Sequence, residues 1–322
     1  SAASDVYKRQ LGNWLNQTFG KKTGKELLPL MKDFYLLSHI RKPEFMGNTR
    51  TYDKRHEQIA DLPWSTEEIN ERLEQFKKLS DRVEKLYATV PSNRKDAYFE
   101  MIQYPVQASN EMNKKMLYAQ FARHTPSDSA SLWKKSDAAY DSIVSLSRRF
   151  NPLLDGKWNH IISTAPRGLI VFDKVKRTAS STALVSSPAP LQLWNGTEHD
   201  AVTGQHTVID GLGHSGKAIY LGKGGTVEYE YRNFRKDSLT VEVCLVPTHA
   251  VEGGKLRFAV STDDREPQVF DCETAEYSEE WKVNILRAQA VKTARFPSGS
   301  RKGRIKITAL DEGVVIDQIR LR

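Results

Sequence analysis

From about Leu11 to Asn151 the apolar positions recur at steps of three and four. Ile69, Leu73, Phe76, Leu79, Val83, Leu86 and Val90 share one face of a helix at that spacing. Ser65 and Glu68 form a capping-box pair before this run, and Trp64 and Ile69 occupy the staple positions. Thr23 and Glu26 repeat the same spacing before Leu27, Leu28, Met31 and Tyr35. A third helix is expected from about Arg94 to Arg123, kinked at Pro105, and a fourth over Ser129 to Arg149. Long helices with short connections pack as an antiparallel bundle.

Between Lys174 and Pro190 the composition turns to Ser, Ala, Thr and Pro, which reads as a linker. Beyond it the period becomes two. Val227, Tyr229 and Tyr231 alternate with Glu228, Glu230 and Arg232, and β-rich runs follow to the end of the chain, separated by Gly, Pro and Asp clusters. That pattern predicts an antiparallel β-sandwich. The fold class is therefore α+β and multidomain, a helical bundle followed by a sandwich.

Charge changes this picture little. The 322 residues carry 48 Lys and Arg against 40 Asp and Glu, a balance of +8. Residues 181–322 hold 18 basic and 19 acidic residues, leaving 30 and 21 for residues 1–180, so the excess lies in the helical half. There Lys and Arg stand beside Glu and Asp, as in ERLEQFKKLSDRVEK, the composition of solvated helix faces rather than a nucleic-acid groove. No run reaches the length of a membrane span. Neither nucleic acid nor membrane is an expected partner. Cys244 and Cys272 lack metal-motif spacing and are read as buried thiols, with a single disulfide as the alternative.

Few motifs carry chemistry. Gly211 to Lys217 satisfies both GxGxxG and GxxxxGK, but a strand-like continuation follows and Ala218 lacks the hydroxyl that a magnesium ion would need. A glycine turn between strands accounts for it better. His39, His56, His124, His160, His199, His206, His214 and His249 form no HxxxH or HExxH pair, so no metal site or cofactor is expected. Glu44, Asp61, Asp210 and Asp263 are available carboxylates, and nothing in their spacing sets two of them apart as a hydrolytic pair. Asp155-Gly-Lys-Trp158-Asn159-His160 differs in being a compact polar and aromatic segment at the end of a helix; the plain alternative is a capping turn with a packed Trp158. Five rings of the sandwich region, Trp194, Tyr220, Tyr229, Tyr231 and Trp281, are candidates for stacking on sugar faces; the alternative is that they pack in the interior.

Several segments, in order, resemble glycoside hydrolase family 115. In the helical half these are Phe34 to Gly47 (FYLLSHIRKPEFMG), Ala97 to Ser109 (AYFEMIQYPVQAS) and Gly156 to His160 (GKWNH). In the second half they are Val208 to Gly216, Leu245 to Thr248, Leu256 to Asp264, Pro267 to Val269 and Asp311 to Asp317. The resemblance implies a parent α-glucuronidase that removes (4-O-methyl)glucuronic acid from xylan-type polysaccharide such as glucuronoxylan, in the periplasm or outside the cell. It implies that residues 11–60 end a catalytic barrel whose strands lie outside this chain. Residues 61–173 would form a bundle, 174–190 a linker and 191–322 the sandwich. No catalytic acid or base is carried onto any residue here, and the chain alone is expected to be inactive. Trp158, Asn159 and His160 would then lie on the substrate side and the rest of the chain would be structural; the alternative is that the sandwich binds carbohydrate or pairs with a second copy as a homodimer. After GKWNH the chain departs from the commoner pattern, with Ile161 to Gly168 (IISTAPRG). Residues 1–10 (SAASDVYKRQ) resemble translated adapter sequence and are read as a non-native leader.

Overall fold

The computed structural model describes residues 2–47, 59–232, 234, 237–251, 255–263, 265–276, 278–297 and 301–322, with no side-chain description for 2–9. His56, Asp264 and residues 48–58 of the expected barrel segment lie outside these. The chain divides into two compact units, Ser1–Ser187 and Pro188–Arg322.

The first unit opens with α1 (Ala2–Phe19) and α2 (Lys21–Ile40). Residues 2–10 thus continue the first helix, although their sequence reads as a leader. Leu15 and Phe19 of α1 and Leu27, Leu30, Met31, Phe34 and Leu37 of α2 share one apolar core. The two helices cross tightly, since a Cβ on Gly24 would lie 2.7 Å from the Asn16 Cα. The expected cap at Thr23 is not formed: Thr23 sits inside α2, which starts two residues earlier behind Gly20 with no side-chain cap. Instead the Thr23 hydroxyl lies 3.2 Å from that of Thr89.

Helix α3 (Thr66–Tyr87) begins where expected. Ser65 accepts from the Glu68 N–H and Glu68 accepts in return from the Ser65 N–H, closing the capping box. The third predicted helix is built in parts. A single turn, α4 (Lys95–Tyr98), runs through a π-turn at Phe99–Gln103 into α5 (Tyr104–His124). Pro105 stands in the first turn of α5, where a missing N–H costs nothing, and the irregularity falls just before it. Helix α6 (Ser129–Phe150) packs closely along α5 and is followed by a one-turn element, α7 (Leu153–Gly156).

Some basic residues of these helices are not on solvated faces. Arg72 is buried between α2 and α5, donating to the carbonyl oxygens of Leu37 and Arg41 and to the Asn113 side chain at 2.6 Å. Lys115 is fully buried, its ammonium 2.7 and 2.8 Å from the carbonyl oxygens of Val171 and Asp173. Part of the basic excess is thus structural.

The stretch 174–190 has neither helix nor strand, but most of it is not a free tether. Val175 is buried, Ser180 N–H donates to Arg123 O (2.9 Å), and Val185 O accepts from Thr66 N–H (2.9 Å). Glu67 accepts from the Ser186 hydroxyl and the Ser187 N–H, both at 2.7 Å. Small side chains let this strap lie against the helices, which satisfy its backbone.

Among the described residues the second unit contains eleven strands and α8 (Glu279–Arg287). One sheet takes the order β3 (His206–Asp210), β4 (Lys217–Leu221), β11 (Val314–Leu321), β6 (Ser238–Leu245), β9 (Ala290–Pro297), with β1 (Gln192–Asn195) also on β11. The other runs β2 (Ala201–Thr203), β5 (Thr226–Tyr231), β10 (Gly303–Ala309), β7 (Leu256–Thr262), β8 (Gln268–Cys272). Every pairing is antiparallel. Alternate residues of both sheets fill one core, Val227, Tyr229 and Tyr231 facing Val241, Val243 and Ile319. The sandwich stands as the alternation predicts. Cys244 and Cys272 are both free and buried, and burial pushes the two thiols up to about 12 and about 11.

Candidate functional site

The segment after α6 is held by local backbone bonds rather than by a regular element. Asn151, at the helix end, donates from Nδ2 to Ile162 O at 3.1 Å, closing the segment into a loop. Within it Gly156 N–H donates to Pro152 O, Asn159 N–H to Gly156 O and Ile161 N–H to Trp158 O, at 3.0 to 3.1 Å. Leu154, Asp155 and His160 take left-handed backbone angles (φ 54°, 57° and 68°), as does Arg167 further on (φ 57°). Such angles are strained for residues with a Cβ and persist where the surroundings hold them.

Trp158 is half-buried, with its indole N–H enclosed and without a partner. The Lys157 ammonium stands 4.8 Å from its ring centroid, so a cation occupies one approach to the ring. Asn159 and His160 are exposed. The three residues therefore offer an edge of hydrogen-bonding groups beside exposed Leu154 and Ile161, not a convergent acid–base pair.

In the sandwich the five aromatic candidates separate. Tyr229 and Tyr231 are buried in the core and cannot stack on a sugar. Tyr229 donates to Gly196 O at 2.8 Å and Tyr231 to Asp263 Oδ2 at 3.2 Å; burial drives both phenols upward, Tyr231 to about 12. Trp194 is half-buried, packing on the core 6.1 Å from the Tyr229 ring. Tyr220 is half-buried and donates to Glu312. Trp281, in the first turn of α8, lies 6.4 Å from the His249 ring and borders a small cleft. Thr248, Glu273 and Asn284 also line that cleft. Among the five rings, Trp281 is the one bordering it.

Among the described residues the four candidate carboxylates form no pair. Asp61 is engaged by Arg123 Nε at 2.9 Å and His124 Nε2 at 2.5 Å, and Asp263 accepts from Arg304 N–H at 2.9 Å. Glu44 and Asp210 are exposed on separate elements. Among the described residues, no group of three or more His, Cys, Asp or Glu is placed to hold a metal ion.

One polar constellation was not anticipated. Asp317 is fully buried on the central strand β11, beside a bulge, and accepts from His214 N–H (2.8 Å), His214 Nδ1 (2.6 Å) and Gln289 Nε2 (2.7 Å). The Gly211–Gly216 turn, singled out as a false phosphate loop, wraps this carboxylate. A Cβ on Gly213 (φ 75°) would lie 2.4 Å from Asp317 Oδ1, so the glycine is required by contact as well as by angle. The signal available in the sequence was a lone Asp inside the apolar run VVIDQI, which needs donors brought from elsewhere.

Residues 197–322 match the family model described as glycosyl hydrolase family 115 C-terminal domain. A solved family 115 4-O-methyl-α-glucuronidase, with specificity for decorated arabinogalactans, is 44% identical and superposes with a TM-score of 0.84. The match covers 98% of this chain and 41% of that one, so the chain spans about two-fifths of the relative's length. An exo-β-1,3-galactanase from Phanerochaete chrysosporium is 17% identical, with 42% of this chain and 30% of that one covered (TM-score 0.33). A family 6 module from Clostridium stercorarium in complex with cellobiose is 14% identical, with 40% and 92% covered (TM-score 0.31). Likenesses at that level carry no argument. Among curated proteins none matches.

Proposed function

Since this chain belongs to glycoside hydrolase family 115, we propose that it serves as the accessory C-terminal region of an α-glucuronidase, without turnover of its own. The observation that carries the reading is 44% identity sustained over 98% of the chain. In the whole enzyme two carboxylates supplied by another region would hydrolyse an α-linked (4-O-methyl)glucuronosyl side chain. This chain would contribute a rigid support and, at Trp158, Asn159 and His160, hydrogen-bonding groups beside the polysaccharide. The relative's specificity for decorated arabinogalactans favours that substrate class over xylan, and the altered Ile161 to Gly168 stretch borders the segment where a difference would be felt. A polysaccharide substrate of that kind supports a periplasmic or extracellular location for the whole enzyme.

The test is release of glucuronic acid from arabinogalactan and from glucuronoxylan. The chain alone is expected to release none from either. A longer protein containing it is expected to release glucuronic acid, faster from arabinogalactan. Turnover by the chain alone would overturn the accessory role.

A second reading, that the sandwich itself binds carbohydrate, is favoured by the half-buried Trp281 on its cleft with Thr248, Glu273 and Asn284. Affinity electrophoresis in arabinogalactan and in glucuronoxylan checks it. Retardation of the chain that is lost in Trp281→Ala supports binding there, and unretarded migration in both gels removes it.

A further inference from the structure

The last turn of α5 fastens two segments that are far apart in the chain. On one side is the stretch before α3. Gln120 Nε2 donates to Leu62 O and Gln120 Oε1 accepts from Leu62 N–H, both at 3.0 Å, and Arg123 Nε donates to Asp61 Oδ1 at 2.9 Å. On the other side is the strap, where Ser180 N–H donates to Arg123 O at 2.9 Å. His124, the last residue of α5, stands between the two. Its Nε2 lies 2.5 Å from Asp61 Oδ2, and its Nδ1 meets the carbonyl oxygen of Thr182. The side chain is 5% exposed, so solvent offers little substitute for either partner.

A carbonyl oxygen only accepts, and so does an ionised carboxylate. A neutral imidazole has one N–H and serves one of them, whereas the imidazolium has two and serves both. The arrangement therefore calls for the doubly protonated ring. Asp61 favours that cation, and Arg123 on the same carboxylate opposes it. The carbonyl end of α5 also favours it. The strap brings Ser180 and Thr182, neither of which titrates, and Asp128 in the turn after α5 accepts from the Ser127 hydroxyl at 3.3 Å.

Loss of one ring proton has a definite direction. The carboxylate is the stronger acceptor, and Asp61 is pinned beside α5 by Arg123 and, through Leu62, by Gln120. The remaining N–H therefore stays on Nε2. Nδ1 then turns a lone pair towards Thr182 O, and the strap is the side that gives way. We propose that His124 is a proton-operated clasp: as imidazolium it holds the strap against α5, and loss of its proton to solvent frees the strap between Val175 and Val185. Those two ends have other anchors, the burial of Val175 and the bond from Thr66 N–H to Val185 O. The closed clasp binds one proton more than an open one with a neutral ring. Closure is thus favoured in acid and weakens as pH rises through the imidazole range, ordinarily about 6.5. Nothing in it depends on the enzymatic reading above, and glucuronic acid release does not report on it.

Amide exchange at Ser180, followed by NMR at pH 5.5 and 7.5 with intrinsic rates divided out, reads the clasp. That interval lies above the carboxylate range and below about 8, to which burial brings Lys115, whose ammonium holds the nearby Val171 and Asp173 carbonyls. Protection at Ser180 is expected to fall at least about fivefold across it, since one proton allows up to about tenfold per pH unit. The ring nitrogen shifts of His124 are expected to titrate in step. Leu62 N–H, held by Gln120, is expected to stay within about twofold. In His124→Gln the protection of Ser180 should be low at both pH values and differ by less than about twofold. Equal Ser180 protection at the two pH values in wild type overturns the proposal, as does a His124 ring that titrates while Ser180 stays protected. A pH response that His124→Gln retains overturns it too. Unchanged Leu62 protection in that variant separates an open clasp from a damaged fold.

Discussion

The two units bury charge in opposite ways. The helical unit buries cations on carbonyl oxygens: Arg72 on Leu37 and Arg41, Lys115 on Val171 and Asp173. The sandwich buries an anion on N–H donors, Asp317 on His214 and Gln289. The difference follows from what each architecture leaves unpaired. A helix ends in free carbonyl oxygens with partial negative charge, and Arg72 covers those at the end of α2. The irregular stretch just before the strap likewise presents carbonyls, those of Val171 and Asp173, which Lys115 gathers from α5. A glycine turn leaves the His214 N–H unpaired, and the Asp317 carboxylate collects it together with the side-chain donors of His214 and Gln289. In both units the buried charge works as a fastener between elements far apart in the chain.

Removing the fastener in the helical unit is expected to have the largest effect. Burial drives the Arg72 guanidinium down to about 9, with Arg41 adding to the shift, a measure of how little solvent reaches it. Arg72→Met fills part of the space and strips the bonds from Leu37 O, Arg41 O and Asn113. A loss of about 4 kcal/mol in urea unfolding is expected, as when a buried charge network loses one partner. A loss below about 1 kcal/mol would mean that the α2 terminus has other donors.

Lys115 sharpens the same comparison through pH. Burial lowers its ammonium from 10.5 to about 8 against a smaller opposing pull from Asp173. Between about pH 8 and 10.5 the unfolded chain keeps this proton while the folded chain releases it. The unfolded state then binds more protons, so this group's contribution to stability rises with pH across that window, by about 3 kcal/mol in all. Buried Tyr229 and Cys244 act the other way above about pH 9, because their folded forms hold protons that the unfolded chain gives up. The contrast between wild type and Lys115→Met isolates the lysine: the difference between them should shift steadily from pH 8 to 10.5. Parallel pH profiles would show that Lys115 carries no such penalty.

On the sandwich side the corresponding test is Gly213→Ala. It forces a methyl against Asp317 Oδ1 and a side chain onto a left-handed backbone. About 2 kcal/mol is expected, read by thermal unfolding, with the His214 imidazole signal displaced in NMR. An unshifted His214 resonance would detach the turn from the carboxylate.

These fasteners were the least legible part of the chain. Elements declare themselves by short-range pattern, as Ser65 with Glu68 and the alternation of Val227, Tyr229 and Tyr231 do. That alternation also held the fate of the tyrosines. The apolar set of a half-buried strand faces the core, so Tyr229 and Tyr231 had to be interior once Glu228 and Glu230 were taken as outward. Arg72 looked like one more charge on a solvated face because helical spacing cannot say that carbonyl ends of α2 lie above it. Asp317 was visible as an anomaly in VVIDQI, but its donors lie 28 and 103 residues away. At the candidate site, composition marked Trp158, Asn159 and His160, while the left-handed residues and the lysine over the indole required coordinates.

The smallest expected effect lies on the strap, where both modes meet at the surface. Glu67, in the first turn of α3, is an anion on N–H and O–H donors, the sandwich's mode transplanted to the helical unit. The Ser187 N–H and the Ser186 hydroxyl hold its carboxyl down at about 2. A depressed folded value means the contribution is present above the unfolded carboxylate range and is lost as pH falls through about 4.5 towards 2. Because the group lies at the surface and is only partly covered, the overall stability of the chain should hardly change in Glu67→Gln. The effect should be local: faster amide exchange at Ser187, with the exchange of Ser180 N–H, bonded to Arg123 O, left unaltered. Wild type taken from pH 5 to pH 2.5 should show the same loosening once intrinsic exchange rates are divided out. If Ser187 stays protected in both cases, the strap is held by Val175 and the Thr66–Val185 bond, and the surface carboxylate contributes nothing to its attachment.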